Sequence, residues 1–119
     1  MVIKFKFENL RIWQNAMEYG EKINDLSNKF PRKEVFNLSS QIIRAADSIA
    51  LNISEGSIGQ SNPEQKKFIG YSVRSLSEVV TCLHKARIRK YISEDEFCNI
   101  YEHSFKLMNM LNAFKDNIK

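Results

Sequence analysis

The sequence predicts an all-α fold, an antiparallel up-down-up-down four-helix bundle, and three observations carry that prediction. Apolar residues recur at helical spacings of three and four in four separate stretches. Proline is confined to two positions, Pro31 and Pro63, and both fall at breaks between those stretches. Capping signals stand where the third and fourth stretches begin. At 119 residues, 43% hydrophobic and 27% charged, the chain suits one folded domain rather than a disordered one.

Taken in order, Met1 to Phe7 alternates Ile3, Phe5 and Phe7 with Lys4 and Lys6, a period of two that predicts an extended N-terminal arm over residues 1–8. Such an arm lies against its own bundle or docks on a neighbouring subunit. Asn9 then reads as the N-cap of the first helix, whose apolar positions are Ile12, Ala16, Tyr19, Ile23, Leu26 and Phe30, widened by Leu10, Trp13 and Met17. Pro31 breaks the run. The second helix is expected to start near Arg32 to Glu34 and to end at Gly56, placed there as a left-handed terminator.

Ser57 to Asn62 is a short connection, and Asn62, Pro63 and Gln65 form the next start signal. The third helix should bury Ile69, Leu76, Val79, Leu83 and Ala86, with Phe68, Val80 and Cys82 alongside. Ser93 with Glu96 is a capping box for the fourth helix, where Phe97, Ile100, Tyr101, Ser104, Leu107, Met108, Leu111, Phe114 and Ile118 form the clearest stripe. Helices of about 20 residues are near 30 Å long and, with short connections, pack as antiparallel neighbours.

The stretch from Leu38 to Gly56 stands apart. At about 100° per residue, Gln41, Arg44, Ser48, Asn52 and Glu55 share one polar strip roughly 80° wide, while isoleucine, leucine and alanine cover most of the rest. So broad an apolar girth predicts several neighbours for this helix, a second copy of the chain among them. The strip itself reads either as a solvated or subunit-facing seam, with Arg44 paired to Asp47 and Asn52 on a backbone partner, or as a recognition groove.

Net charge is +4, but the span from Pro63 to Ile92 alone carries +5. Within it Lys67, Arg74, Lys85 and Arg89 share an arc of about 60° on the third helix, with Glu78 interleaved. This is either an ordinary solvated face or a ridge that follows phosphates by backbone contact, strongly salt-dependent and indifferent to base sequence.

Motifs of known chemistry are absent: no glycine-rich phosphate loop, no GxSxG turn, no HExxH pair and no Glu-x-x-His set for a di-iron centre. Cys82, His84, Cys98 and His103 make a poor zinc set, since residues two apart on a helix point about 200° from each other. No catalytic residue, metal or cofactor is expected, and no apolar run reaches the roughly 20 residues of a membrane span. The N-terminus lacks a signal peptide's apolar region, so the expected compartment is the cytoplasm.

The order FENLRIWQNA (7–16), FPRKEVFNLSSQIIRAADSIALNISEG (30–56), SLSE (75–78) and YIS (91–93) resembles the four-helix-bundle family typified by proteins encoded in intervening sequences of bacterial 23S ribosomal RNA genes. The most specific part is Gln41, Arg44, Ala45, Ser48, Ile49, Asn52, Ile53, Glu55 and Gly56. That family is similar in turn to the accessory bundle protein of diversity-generating retroelements. The resemblance implies a homopentameric ring, no established catalytic activity, and contact with RNA or a nucleic-acid enzyme. Arg74 and Lys90 stand where relatives often carry glycine, and Asp47 and Ser54 where small apolar residues are usual. Together these readings give a non-enzymatic oligomer that binds nucleic acid through Lys67, Arg74, Lys85, Arg89 and Arg44. The rival reading is a protein-interaction scaffold that binds none.

Overall fold

The computed structural model describes residues 4–59 and 61–119. Four helices, α1 (Arg11–Ser27), α2 (Leu38–Gly56), α3 (Asn62–Ile88) and α4 (Glu94–Asp116), pack as an antiparallel up-down-up-down bundle measuring 43 × 31 × 23 Å. Each helix packs on the next in sequence, and α4 closes on α1. The bundle thus has four outer faces: α1/α2, α2/α3, α3/α4 and α1/α4.

Helical periodicity builds the core. Ile12, Tyr19 and Ile23 from α1 meet Ile42, Ile49 and Ile53 from α2, Leu76, Val79 and Leu83 from α3, and Leu107 and Leu111 from α4. All are buried, the physical consequence of apolar residues at three- and four-residue spacing gathering on one side of each cylinder. The Ser93–Glu96 capping box forms as expected, the Ser93 hydroxyl accepting from the Glu96 amide and the Glu96 carboxylate from the Ser93 amide.

Four boundaries differ from the sequence expectations. The N-terminal segment is extended at Phe5 but not beyond it: Lys6–Asn9 is a 3-10 turn, Phe5 stacks on Phe7, and Phe7 meets Trp13 edge-on at 5.3 Å. Residues 1–3 of the expected arm lie outside the described residues. Leu10, not Asn9, is the N-cap of α1, and it contributes no side-chain cap. The second helix starts at Leu38; Arg32–Glu34 is a separate 3-10 turn. The cap of α3 is Ser61, one residue before Asn62, its hydroxyl accepting from the Glu64 amide.

Gly56 has a different role from the one expected. It is the last, buried residue of α2, and a Cβ built on it would lie 2.9 Å from Phe68 Cβ and 3.4 Å from the Gln65 carbonyl oxygen. Glycine is there to let α3 approach, while the left-handed residue of the connection is Gly59, at φ 85°. A second left-handed residue closes α3. Lys90 (φ 64°) donates to the Arg87 carbonyl and Tyr91 to the Ala86 carbonyl, the paired bonds of a Schellman motif with lysine at the position glycine favours.

The broad apolar girth of α2 is covered within one chain. Leu38, Ile42, Ala45, Ala46, Ile49, Ala50 and Ile53 are all buried, with Ile43 half-buried and Leu51 left 60% exposed. The α1 and α3 surfaces are enough because α2 and α3 meet along small residues. Ser72 is fully buried and donates across the gap to the Ile49 carbonyl at 2.8 Å. The girth of α2 therefore does not by itself require a second copy; among the described residues its one large exposed apolar side chain is Leu51, beside α1.

Candidate nucleic-acid interface

The polar strip of α2 faces α3. Ser75 donates to the Ser48 hydroxyl at 2.9 Å, the Asn52 amide donates to the Ser48 carbonyl and hydroxyl, and Gln41 donates to Glu78 at 3.4 Å. Asn52 thus has the backbone partner expected of it. The strip is an intramolecular seam for Ser48 and Asn52, and Gln41 adds one long bond at its edge. Arg44 and Glu55 stay exposed at its outer edge. Arg44 does not pair with Asp47; its Nε donates to the Ser40 carbonyl at 3.4 Å, one turn back, because Asp47 sits toward the α1 side.

That seam brings Arg44 onto the same outer face as the α3 ridge. Lys67, Arg74 and Lys85 are all exposed there, with Arg74 over the Tyr71 ring at 5.9 Å. Among the described residues none of Arg44, Lys67, Arg74 and Lys85 forms an ion pair, whereas Arg87 pairs with Glu94, Lys22 with Glu18, Lys106 with Glu102 and Lys29 with Glu96. Residues 67 to 85 span about 27 Å along the helix. The α2/α3 face is therefore a strip of uncompensated cations, broken by Glu55 and Glu78.

Arg89 does not belong to that free set. Its Nη1 donates to Glu34 at 3.0 Å, and Glu34 is the one buried charged residue among those described. The Tyr91 hydroxyl donates to the same carboxylate at 2.6 Å, while Asn37 and the Leu38 amide donate to its other oxygen. The Tyr91 bond leads in holding the Glu34 carboxyl below its ordinary value, and the same bond pushes the Tyr91 phenol up. Glu34 thus serves as the missing N-cap of α2 and ties it to the α3–α4 turn. No sequence signal marks it: a lone acid after two bases reads as surface.

The expected poor zinc set is scattered. Cys82 is buried, with its thiol pushed up by burial, and Cys98 is exposed. His84 packs edge-on against Phe97 and Tyr101. His103 lies on the α1/α4 face, accepting from Lys22 at Nδ1 and contacting Asn15 Oδ1 through Nε2 at 2.9 Å, which assigns the proton to Nε2. Burial, then Lys22, lowers its pKa.

Two shallow apolar grooves complete the surface. One, about 480 Å³, runs between α1 and α2 and is lined by Phe7, Trp13, Met17 and Leu51 with Glu21 and Asp47. The other, about 230 Å³, lies between α3 and α4 beside Tyr101 and Phe105. No described helix is long and apolar enough to cross a membrane.

The fold and faces define a four-helix bundle with a cationic α2/α3 face and, among the described residues, no group of three or more His, Cys, Asp or Glu side chains placed to hold a metal ion. The chain belongs to the 23S rRNA-intervening sequence protein family, whose profile matches residues 8–113. Its backbone is similar to the crystal structure of a protein of unknown function from the S23 ribosomal protein family of Bacteroides thetaiotaomicron, at TM-score 0.81 and 21% identity, covering 87% of this chain and 97% of that one. No curated protein matches the chain.

Proposed function

We propose that this chain is a non-enzymatic, cytoplasmic bundle protein that binds RNA or another nucleic acid through phosphate contacts on its α2/α3 face. The observation that carries the reading is that four exposed cations without an ion pair share one face. Arg44, Lys67, Arg74 and Lys85 project from one face without a carboxylate partner among the described residues, while Arg87 and Arg89 beside them are neutralised. Arg89 accordingly serves the fold, through Glu34, and leaves phosphate binding to the other four. Self-assembly, with the homopentamer the family resemblance implies, multiplies this face, so that individually weak phosphate contacts add by avidity.

Fluorescence anisotropy with labelled structured RNA and a duplex DNA control over a salt series tests the reading. Four phosphate contacts give a slope of log affinity against log salt of about −3 to −4, and replacing all four cations by alanine abolishes binding. Absence of binding at low salt, or binding unchanged in the quadruple variant, overturns it. The α1/α2 groove favours the second reading, a protein-interaction scaffold, and absence of binding at low salt would select it.

A further inference from the structure

The turn between α1 and α2 combines rigidity with exposure in an unusual way. Arg32–Glu34 is held by 3-10 hydrogen bonds, from the Glu34 amide to Pro31 and from the Val35 amide to Arg32, and the buried Glu34 carboxylate accepts four more. Yet this pinned turn presents Phe36 with 97% of its surface exposed and Val35 with 47%. An aromatic side chain left in water gives up roughly 2–3 kcal/mol that burial would supply, and a backbone already pinned beneath it lowers the ordering cost of docking.

The α1/α2 groove offers the complementary surface. Its walls are Trp13, Met17 and Leu51, its floor is open at Gly20, where an added Cβ would meet nothing within 4 Å, and its acids are Glu21 and Asp47. No base lines it. Arg32 and Lys33 precede the exposed Phe36 by four and three residues in the same turn region, and among the described residues neither these two bases nor the two groove acids form an ion pair. The turn cannot fill the groove of its own chain: the α2 wall begins at Ala46, about 15 Å along the helix from Phe36, and Glu34 fixes the turn at the helix start.

We infer that Phe36 of one copy docks in the α1/α2 groove of a second copy, with Arg32 and Lys33 facing Glu21 and Asp47. This names the contact behind the self-assembly proposed above and rests on that reading. Knob and groove are different surfaces, so each copy offers both and the contact propagates or closes around a symmetry axis. The basic α2/α3 face takes no part and stays open for phosphate.

Light scattering on the purified chain, alone and as Phe36→Asp and Leu51→Asp variants, tests the inference; both positions are exposed, and circular dichroism checks that each variant keeps its helices. The wild-type chain assembles at micromolar concentration, and either substitution raises the dissociation constant at least about 30-fold, to monomers. An equimolar mixture of the two variants regains a 1:1 heterodimer, because one supplies an intact groove and the other an intact knob. A monomeric wild type overturns both the assembly reading and this contact. A wild-type oligomer that survives both substitutions, or two monomeric variants that fail to pair, overturns the contact alone. Lys33→Glu weakens assembly and Asp47→Lys in the same chain restores it; the absence of that rescue would sink the charge pairing.

Discussion

The α2/α3 and α1/α4 seams join helices by opposite means. Along α2/α3 the contacts come from the smallest side chains: Gly56 lets Phe68 in, Ser72 reaches the Ile49 carbonyl, and Ser75 meets Ser48. Along α1/α4 long polar side chains bridge the helices, Tyr19 to Ser104 at 2.6 Å, His103 to Asn15 and Lys22, Lys29 to Glu96. A close seam tolerates little added volume but is indifferent to charge state; a bridged seam is the reverse. The difference shows how one bundle can hold a rigid pair of helices under its cationic face and a proton-sensitive pair behind it.

The largest expected effect breaks the close seam. Gly56→Val drives methyl groups into Phe68 and the Gln65 backbone and destabilises the chain by about 3 kcal/mol in a urea or thermal melt, with Gly56→Ala falling between. A neutral Gly56→Val would show that α2 and α3 can separate without cost.

Ser72→Ala ranks next. It removes the hydroxyl that crosses the seam and costs about 1 kcal/mol. Tyr19→Phe, across the bundle, costs no more than that, because Ser104 keeps its bond to the Ile100 carbonyl. Burial holds the Tyr19 phenol protonated far into alkali, so this comparison is unaffected by pH near neutrality. A Tyr19→Phe loss well above the Ser72→Ala loss would reverse the ranking of the two seams.

Lys90→Gly sharpens the comparison by touching neither seam. Lysine at φ 64° is strained by about 1–2 kcal/mol, part of which glycine returns to the unfolded chain as entropy, leaving a gain of about 0.5–1 kcal/mol. The melting temperature should rise by a few degrees with both seam substitutions retaining their separate costs. An unchanged or lowered melting temperature would contradict the strain.

The smallest effect is acid weakening of the bridged seam. The folded chain holds His103 below its ordinary 6.5, so its contribution is whole above that pH and is lost as pH falls through the lowered folded value. Glu34 and Glu96, both held below 4.5, extend the loss under more acidic conditions, Glu96 chiefly through Lys29 and then the Ser93 amide. Melts between pH 7 and 5 should show a modest decline that His103→Gln flattens; equal slopes in the two proteins would remove His103 from the account.

How much of this was legible in the sequence depends on the range of the interaction. The end of α2 at Gly56, the Ser93–Glu96 box and the buried core positions follow from neighbours within one or two turns and are where the pattern puts them, whereas the start of α2 moves from Arg32–Glu34 to Leu38, which Glu34 caps. Gly56 was legible as special but not for the right reason, since absence of a Cβ serves a left-handed turn and a close approach equally, and only Phe68 decides. The ridge on α3 and Arg44 emerge on one face, but the loss of Arg89 to Glu34 depends on a partner 55 residues away. Periodicity likewise measured the girth of α2 without knowing that Ser72 and Ser75 would let α3 cover it so closely.

Trp13 is the only tryptophan in the chain, and it lines the α1/α2 groove with its ring against Phe7. Intrinsic fluorescence is therefore a label-free gauge of that groove. Filling it excludes water from the indole and shifts the emission to shorter wavelength, so a dilution series read at one wavelength follows occupancy without a dye, a tag or an added cysteine.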